Sequence, residues 1–214
     1  MATKQDAAAE EFDSAGARDK LIETASTVMR ENDTIDLSFS ELSYRSGLNS
    51  ALVKYYFGNK NGLMLALLER DMTHIVDSVR ALLAKDIAPD EKLRRHIGAA
   101  VDTYHAYPYL NRLLMRMVRD APPNEAQRIA EEYLTPLATA YAQLIADGVA
   151  KGLFRDVDPQ MFYFSVTGAS DRFFTARFVL QHCYGQDNFT EAMRDRYREH
   201  TIDLIMAGIL KKEG

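Results

Sequence analysis

The chain has 214 residues, of which 47% are hydrophobic and 27% are charged, so it has ample apolar material for a folded core. No apolar run approaches the ~20 residues that span a bilayer, and the N-terminal segment lacks the apolar stretch of a secretory signal, which argues against a membrane or exported protein. A single cysteine, Cys183, excludes an intramolecular disulfide framework and suits the cytoplasm.

The formal net charge of −5 at pH 7 argues against a nucleic-acid partner, but the charges are unevenly distributed. No acidic residue lies between Glu41 and Glu69, whereas Arg45, Lys54 and Lys60 all fall in this window. Attraction to phosphate acts over about one Debye length, ~8 Å in physiological salt. The window is therefore predicted to be locally basic.

The first predicted elements follow an alanine-rich, acidic segment, residues 1–16, which we expect to be a disordered leader. Apolar residues at helical spacing predict a helix from about Ala17 to Glu31. Ser38 at an N-cap, with Glu41 three residues later, forms a capping box at the start of a short second helix.

Glycine and asparagine residues mark the ends and starts of the next predicted helices. Gly47 ends the second helix in a tight turn, and Asn49 caps a third from Ser50 to about Phe57. Gly58 breaks this helix, and Asn59 caps a long fourth one. Short helices joined by a tight glycine turn are typical of a helix-turn-helix.

The remaining sequence also predicts helices, with proline or a capping residue at each start. Their approximate ranges are 90–107, 108–119, 122–152, 158–183 and 190–210. The predicted fold class is all-α, with about nine helices. By its predicted elements the chain divides into a leader (1–16), a three-helix domain with the helix-turn-helix (17–63) and a larger helical domain (64–214).

Residues 39–63, with the sequence Phe-Ser-Glu-Leu-Ser-Tyr-Arg-Ser-Gly-Leu-Asn-Ser-Ala-Leu-Val-Lys-Tyr-Tyr-Phe-Gly-Asn-Lys-Asn-Gly-Leu, resemble the DNA-binding signature of the TetR family of transcriptional regulators. The resemblance is close over about 18–70 and looser at 147–155 and at Asp158-Pro159. It implies a dimeric regulator that binds a palindromic double-stranded DNA operator, represses in the usual case and responds to a small-molecule effector. No cofactor and no metal is implied.

The candidate DNA contacts lie on the presumed outer face of the recognition helix and at its borders. Leu42, Leu48, Val53 and Phe57 are assigned to the core, which leaves small, basic and tyrosine side chains to enter the groove or reach phosphates. Lys60 adds a full charge to the N-terminus of the fourth helix. The candidates are Ser38, Ser40, Asn49, Ser50, Ala51, Leu52, Lys54, Tyr55, Tyr56, Asn59 and Lys60.

Two of these positions depart from the family pattern, and one has an alternative role. Family members usually carry a polar residue at the position of Leu52 and tyrosine at that of Lys54, so the operator sequence is left open. Tyr56 either contacts DNA or packs against its own domain.

Aromatic residues concentrated in the larger domain favour an effector pocket, although an ordinary core has the same composition. The candidates are Tyr104, His105, Met115, Phe162, Asp171, Arg172 and Phe174. Asp171 and Arg172 stand out because a charge in apolar surroundings is costly unless it is paired. Their predicted partners are neighbours, a second chain or a polar effector.

The segment from about 158 to 183 is apolar on nearly every side, so we expect a second subunit to cover part of it. Small residues there and isoleucines of the last helix are predicted to form a four-helix bundle across a two-fold axis. The candidates are Ser165, Gly168, Ala169, Ala176, Ile202, Ile205 and Ile209. In such a dimer, effector binding would shift the fourth helix and change the separation of the recognition helices.

Other classes of function have less support. Asp102 with His105, and His182 with Cys183, could each be half of a metal or nucleophilic site, but neither has the further residues that such a site needs. We therefore expect no enzyme. A helical dimeric interaction protein, or a small-molecule-binding protein without specific DNA binding, remains the alternative.

Overall fold

The computed structural model describes residues 4–187 and 189–211, with side chains from Gly16 onward. Eleven α-helical segments and one π-helical turn make up this part of the chain, which contains no β-strand. Their order is α1 (Lys4–Glu31), α2 (Phe39–Ser46), α3 (Ala51–Phe57), α4 (Lys60–Leu83), α5 (Pro89–Ala106), α6 (Leu110–Asp120), α7 (Pro123–Ile129), the π-turn (Ala130–Leu134), α8 (Thr135–Ala150), α9 (Pro159–Thr175), α10 (Arg177–Tyr184) and α11 (Glu191–Ile209). The all-α prediction is confirmed.

The predicted caps explain where the N-terminal helices begin and end. Ser38 Oγ accepts a hydrogen bond from the Glu41 amide (3.1 Å), and Asn59 Oδ1 accepts one from the Gly62 amide (3.0 Å). Asn49 Oδ1 accepts from the Ala51 amide at 2.8 Å. Gly47 ends α2 with a φ of 68°, in the left-handed region that favours glycine.

Three predicted elements differ in the structure. Helix α1 begins at Lys4, so residues 4–16 are helical rather than a disordered leader, and residues 1–3 lie outside the described part. The segment predicted as one helix over 158–183 is divided at Ala176, which has a ψ of 31°. The helix predicted over 122–152 contains a π-turn just before Pro136, whose ring and missing N–H disrupt regular α-helical bonding. The division into three domains stays a prediction.

Two apolar cores hold the helices together. The first joins α1 to α4 with α6 and includes Leu42, Val53, Leu67 and Leu113, all at most 1% exposed. The second joins α5, α8, α9 and α11. Because α4 belongs to the first core through Leu63 and Leu67 and continues toward the second domain, it connects the helix-turn-helix to the larger domain without a linker.

A buried polar network reinforces this junction. The Tyr109 hydroxyl donates to Asp71 Oδ2 (2.7 Å) and lies 2.7 Å from Ser26 Oγ. Asp71 also accepts from Arg70 Nε at 2.9 Å, and Arg70 pairs with Glu23 at 2.9 Å. Helices α1, α4 and the start of α6 are therefore fixed together by satisfied buried groups, an arrangement that specifies one packing.

No helix in the described ranges combines the length and apolar character needed to cross a membrane.

Candidate DNA-binding surface and effector cavity

Helices α2 and α3 expose a surface of small, basic and aromatic side chains. Lys54 is exposed, and Tyr55 is 77% exposed. Ser38, Ser40, Asn49, Ser50, Ala51 and Asn59 are exposed as well. The Ser38 and Ser40 hydroxyls lie 2.8 Å apart. Eight of the eleven predicted DNA contacts are thus accessible to solvent.

The remaining three candidates are only partly exposed. Leu52 and Tyr56 pack against the first core, so the outward orientation expected for both is corrected to partial burial. Packing was the alternative considered for Tyr56. Val53 and Phe57 face the core on this short helix. Leu52 and Tyr56 each precede one of them by one position, so they lie at the side of the buried face and not on the opposite, exposed face.

Lys60, the third partly exposed candidate, forms an ion pair with Asp36. Its Nζ lies 3.7 Å from Asp36 Oδ1, and Arg116 Nη1 lies 3.0 Å from the same oxygen. The Arg116 hydrogen bond and the nearby Lys60 charge lower the pKa of Asp36. Arg45, another cation of the acid-free window, pairs with Glu31 and Glu41. The locally basic window is therefore partly neutralised by residues outside it, whereas Lys54 has no ion pair with any described residue.

Helix α2 also exposes an aromatic residue that was not predicted from the sequence to contact DNA. Tyr44 is 88% exposed, and Phe39 at the start of the same helix is 42% exposed. Leu42 and Ser46 mark the buried face of α2. Since Tyr44 lies about 200° around the helix from Leu42, the helical phase could have placed it outside.

A cavity of about 1220 Å³ lies in the larger domain. Its walls come from α4, α5, α6, the π-turn, α8 and α9, and its lining is mainly apolar and aromatic. Met72 and Ile75 of α4 lie on one wall, and Leu114 and Met115 of α6 on another. Tyr104, Met115 and Asp171, three of the predicted pocket residues, line this cavity.

The other predicted pocket residues lie elsewhere. His105 and Phe174 line a separate cavity of about 480 Å³ near Arg30, and their rings contact edge-on with centroids 5.3 Å apart. Phe162 packs in the second core beside Tyr141, because α9 turns this residue toward α8. Arg172 is exposed, so the expected burial of the Asp171-Arg172 pair is wrong for the arginine.

His96 contributes to the wall of the large cavity and is 5% exposed. Its ring packs edge-on against Tyr141 with centroids 4.4 Å apart, and its Nε2 has no hydrogen-bond partner among the described residues. Burial lowers the pKa of His96 to about 4. The neutral ring is therefore the folded form at pH 7.

This burial predicts an acid-sensitive fold. Because the folded-state pKa lies below the unfolded value of about 6.5, the unfolded chain binds more protons, and stability is lost as pH falls from 6.5 toward 4. We expect the free energy of unfolding to fall by about 2 kcal/mol between pH 7 and pH 5 from this residue, as measured by urea denaturation. His96→Phe should remove this component, whereas the exposed control His200→Gln should retain it. An unchanged pH dependence in His96→Phe would contradict the assignment.

The predicted dimer residues divide into two groups. Ser165 and Gly168 are exposed on α9, next to Met161 (60% exposed) and Phe164 (61% exposed), while Ala169 and Ala176 are half-buried. Ile202 and Ile209 are buried inside their own protomer, and Ile205 is half-buried there, because α11 packs these side chains against Leu93 and Ile97 of α5. The exposed apolar residue of α11 is instead Leu204, at 65%.

The two candidate catalytic pairs have other partners. Asp102 pairs with Arg194 (3.0 Å) and Arg198 (3.2 Å), and His105 lies beside Glu191. The His182 ring stacks on Phe178 with centroids 4.0 Å apart, and Cys183 is exposed. In the ranges that the structure describes, no three His, Cys, Asp or Glu side chains are grouped closely enough to hold a metal ion.

Comparisons with known proteins agree with this architecture. The family model described as "Tetracyclin repressor-like, C-terminal domain" matches residues 86–214. The regulator BetI of Serratia proteamaculans is 26% identical over 152 residues, which cover 62% of this chain and 75% of that protein.

Solved structures share the fold at lower identity. A TetR/AcrR-family regulator from Thermobifida fusca has a TM-score of 0.67 and 20% identity, with 89% of this chain and 97% of that chain covered. The regulator FadR from Bacillus subtilis, solved with stearoyl-CoA, has a TM-score of 0.63 and 16% identity, with 88% and 97% covered. The family model spans more than half of the chain, and the chain therefore belongs to the TetR family of transcriptional regulators.

Proposed function

We propose that the protein is a dimeric repressor that binds a palindromic operator through α3 and releases it when a small molecule occupies the large cavity. The observation that carries this proposal is the continuity of α4. Its first residues adjoin the exposed recognition helix, its middle belongs to the core of the helix-turn-helix, and Met72, Ile75 and Val79 reach the cavity wall.

For DNA binding, α3 enters the major groove with Ser50 and Ala51 first, since small side chains let the helix approach the bases. Lys54 and Tyr55 reach phosphates or base edges. Asn59 and Lys60 place the N-terminus of α4 against a phosphate, where free amides and the helix dipole favour an anion. Ser38, Ser40 and Tyr44 of α2 are positioned for the backbone next to the groove. Leu52 and Tyr56 support α3 from behind.

For regulation, α6 offers a second connection between the cavity and the DNA-binding domain. Leu114 and Met115 line the cavity, while Arg112 binds the side chain of Asp33 and donates to its carbonyl oxygen (3.1 Å). Arg116 holds Asp36, the partner of Lys60. A ligand that separates α4 from α6 would thus move the start of α4 and the loop before α2 together. It acts only through its different affinity for the two arrangements.

For dimerisation, α9 exposes the apolar residues Met161 and Phe164 beside the small residues Ser165 and Gly168, and α11 exposes Leu204; two copies can bury these side chains against each other. A two-fold dimer places its recognition helices ~34 Å apart, one turn of DNA. Ile202 and Ile209 are not part of this surface. A regulator of chromosomal genes acts in the cytoplasm, where the exposed Cys183 stays reduced.

The test is selection of bound duplexes from fragmented genomic DNA, followed by affinity measurements at several salt concentrations. We expect an enriched palindrome with half-sites one helical turn apart, a dimer mass in sedimentation, and affinity that falls steeply with salt. No enrichment, with or without small-molecule extract, would favour a ligand-binding protein without specific DNA binding. A single half-site bound by a monomer would contradict the dimer.

A further inference from the structure

The carboxylates on the described wall of the large cavity have no lysine or arginine beside them in the lining. Asp102 and Asp171 line it, together with His74 and His96, whereas no described lysine or arginine does so. Asp102 is neutralised by Arg194 at 3.0 Å and Arg198 at 3.2 Å. Asp171 has no ion-pair partner within 4.0 Å among the described residues. It is therefore the one uncompensated charge that the described wall presents to a ligand.

Asp171 is held in place but only partly satisfied. Its Oδ2 accepts a hydrogen bond from Asn111 Nδ2 (3.1 Å), and its Oδ1 has no hydrogen-bond partner in the part of the chain that the structure describes. Burial raises the pKa of Asp171, against the Asn111 hydrogen bond and the charges of Arg112 and Arg172. Arg112 is bound to Asp33 and Arg172 is exposed, so neither forms an ion pair with Asp171. A half-buried carboxylate of this kind is stabilised by a cation that enters the cavity.

Three tyrosines line the same cavity as Asp171. The rings of Tyr141 and Tyr163 contact edge-on with centroids 5.5 Å apart, and both residues line the cavity with Tyr104. Burial raises the pKa of Tyr104, and the Asp171 carboxylate and then Tyr163 raise it further; all three residues line the cavity. The faces of aromatic rings attract cations, and quaternary ammonium groups are recognised in this way.

We propose that the effector is a lipophilic cation, an amine or quaternary ammonium on a large apolar body, whose charged end lies against Asp171, Tyr104 and Tyr163. The volume of about 1220 Å³ exceeds the ~300–1000 Å³ of ordinary ligand pockets, so the cavity accepts a sizeable apolar body besides the charged group. An acidic ligand would place a second negative charge near Asp171 with no cation on the described wall to offset it. The regulatory role of this ligand rests on the proposed function, whereas its binding in the cavity does not.

The experiment compares three probes that share one alkyl chain: dodecyltrimethylammonium, dodecanol and dodecanoate. Their affinities for the full-length protein are measured by calorimetry below their micellar concentrations. We expect the cation to bind about 10-fold more tightly than the alcohol, with the carboxylate weakest. Asp171→Asn should abolish this preference and leave dodecanol binding unchanged. Asp156→Asn, an exposed carboxylate outside any helix, is the matched control and should behave as the wild type.

A second variant separates the electrostatic role from a folding defect. Tyr104→Phe keeps the ring and should retain the preference for the cation, whereas Tyr104→Leu should lose most of it. Unchanged dodecanol affinity and melting temperature show that each variant is folded. Equal binding of the three probes by the wild type, or an intact preference in Asp171→Asn, would overturn the proposal.

The same probes are then added to protein bound to the selected operator. Release by the cation alone supports both the ligand class and the effector role. Release by dodecanoate rather than by the cation refutes the ligand class and leaves the proposed function standing. Binding of the cation through Asp171 without any change in DNA affinity supports the ligand class and contradicts regulation through this cavity.

Discussion

Replacing Lys54 with alanine is expected to weaken operator binding about 100-fold, because a two-fold dimer loses the contact twice. Lys54 is exposed on the recognition helix and has no ion pair with any described residue, so its whole charge is available to DNA. The slope of log affinity against log salt should decrease by about 2, since each lost phosphate contact contributes roughly 0.9. Fluorescence anisotropy with a labelled operator gives both quantities.

Lys151→Ala is the matched control, an exposed lysine at the end of α8, far along the chain from the recognition helix, and it should leave affinity and slope unchanged. Lys54→Arg should keep most of the salt dependence. If Lys54→Ala bound the operator like the wild type, α3 would not be the element that approaches the phosphates.

The largest effect on stability is expected at Asp71. Its side chain is 1% exposed and accepts hydrogen bonds from Arg70 and from Tyr109. Asp71→Ala leaves the buried Tyr109 hydroxyl without its acceptor and removes one of the two carboxylates that pair with the half-buried Arg70 guanidinium. It should lower the free energy of unfolding by about 3 kcal/mol in urea denaturation.

Asp77→Ala, on the same helix, is the control. Its side chain is 63% exposed and, among the described residues, forms an ion pair with Arg80 alone, so this substitution should cost less than about 0.5 kcal/mol. Asp71→Asn keeps an acceptor for the Tyr109 hydroxyl and should fall between the two. A cost for Asp71→Ala as small as that of the control would show that the network is dispensable for the packing of α1, α4 and α6.

The features that the sequence predicted well depend on short-range chemistry. Ser38 and Asn59 cap their helices as expected, because a cap involves residues only three positions apart. The outward face of α3 at Lys54 and Tyr55 followed from the helical phase set by Val53. The all-α fold followed from the same kind of periodicity.

The features that it did not predict depend on contacts between distant segments. Asp36 lies outside the acid-free window, and only the fold brings it to Lys60. Ile202 and Ile209 form an apolar stripe on α11. The periodicity of a helix shows that such a face is buried, but it does not identify the element that buries it. In this structure α5 packs against the stripe, rather than a second subunit. The same limit applies to α9, in which Phe162 belongs to the second core, whereas Asp171, nine residues further along the same helix, lines the cavity.

If Lys60 binds a phosphate as proposed, its contact with Asp36 makes that binding an exchange of partners. Lys60 must give up a carboxylate at 3.7 Å before it neutralises a phosphate, and Arg116 remains with that carboxylate at 3.0 Å. The DNA still releases its condensed cations, so Lys60 counts fully in the response to ionic strength. The net contribution of Lys60 to DNA affinity is reduced by the free energy of the Lys60–Asp36 ion pair that is lost. Lys54 therefore increases both the affinity for DNA and its dependence on salt concentration. Lys60 increases the salt dependence fully but the affinity less.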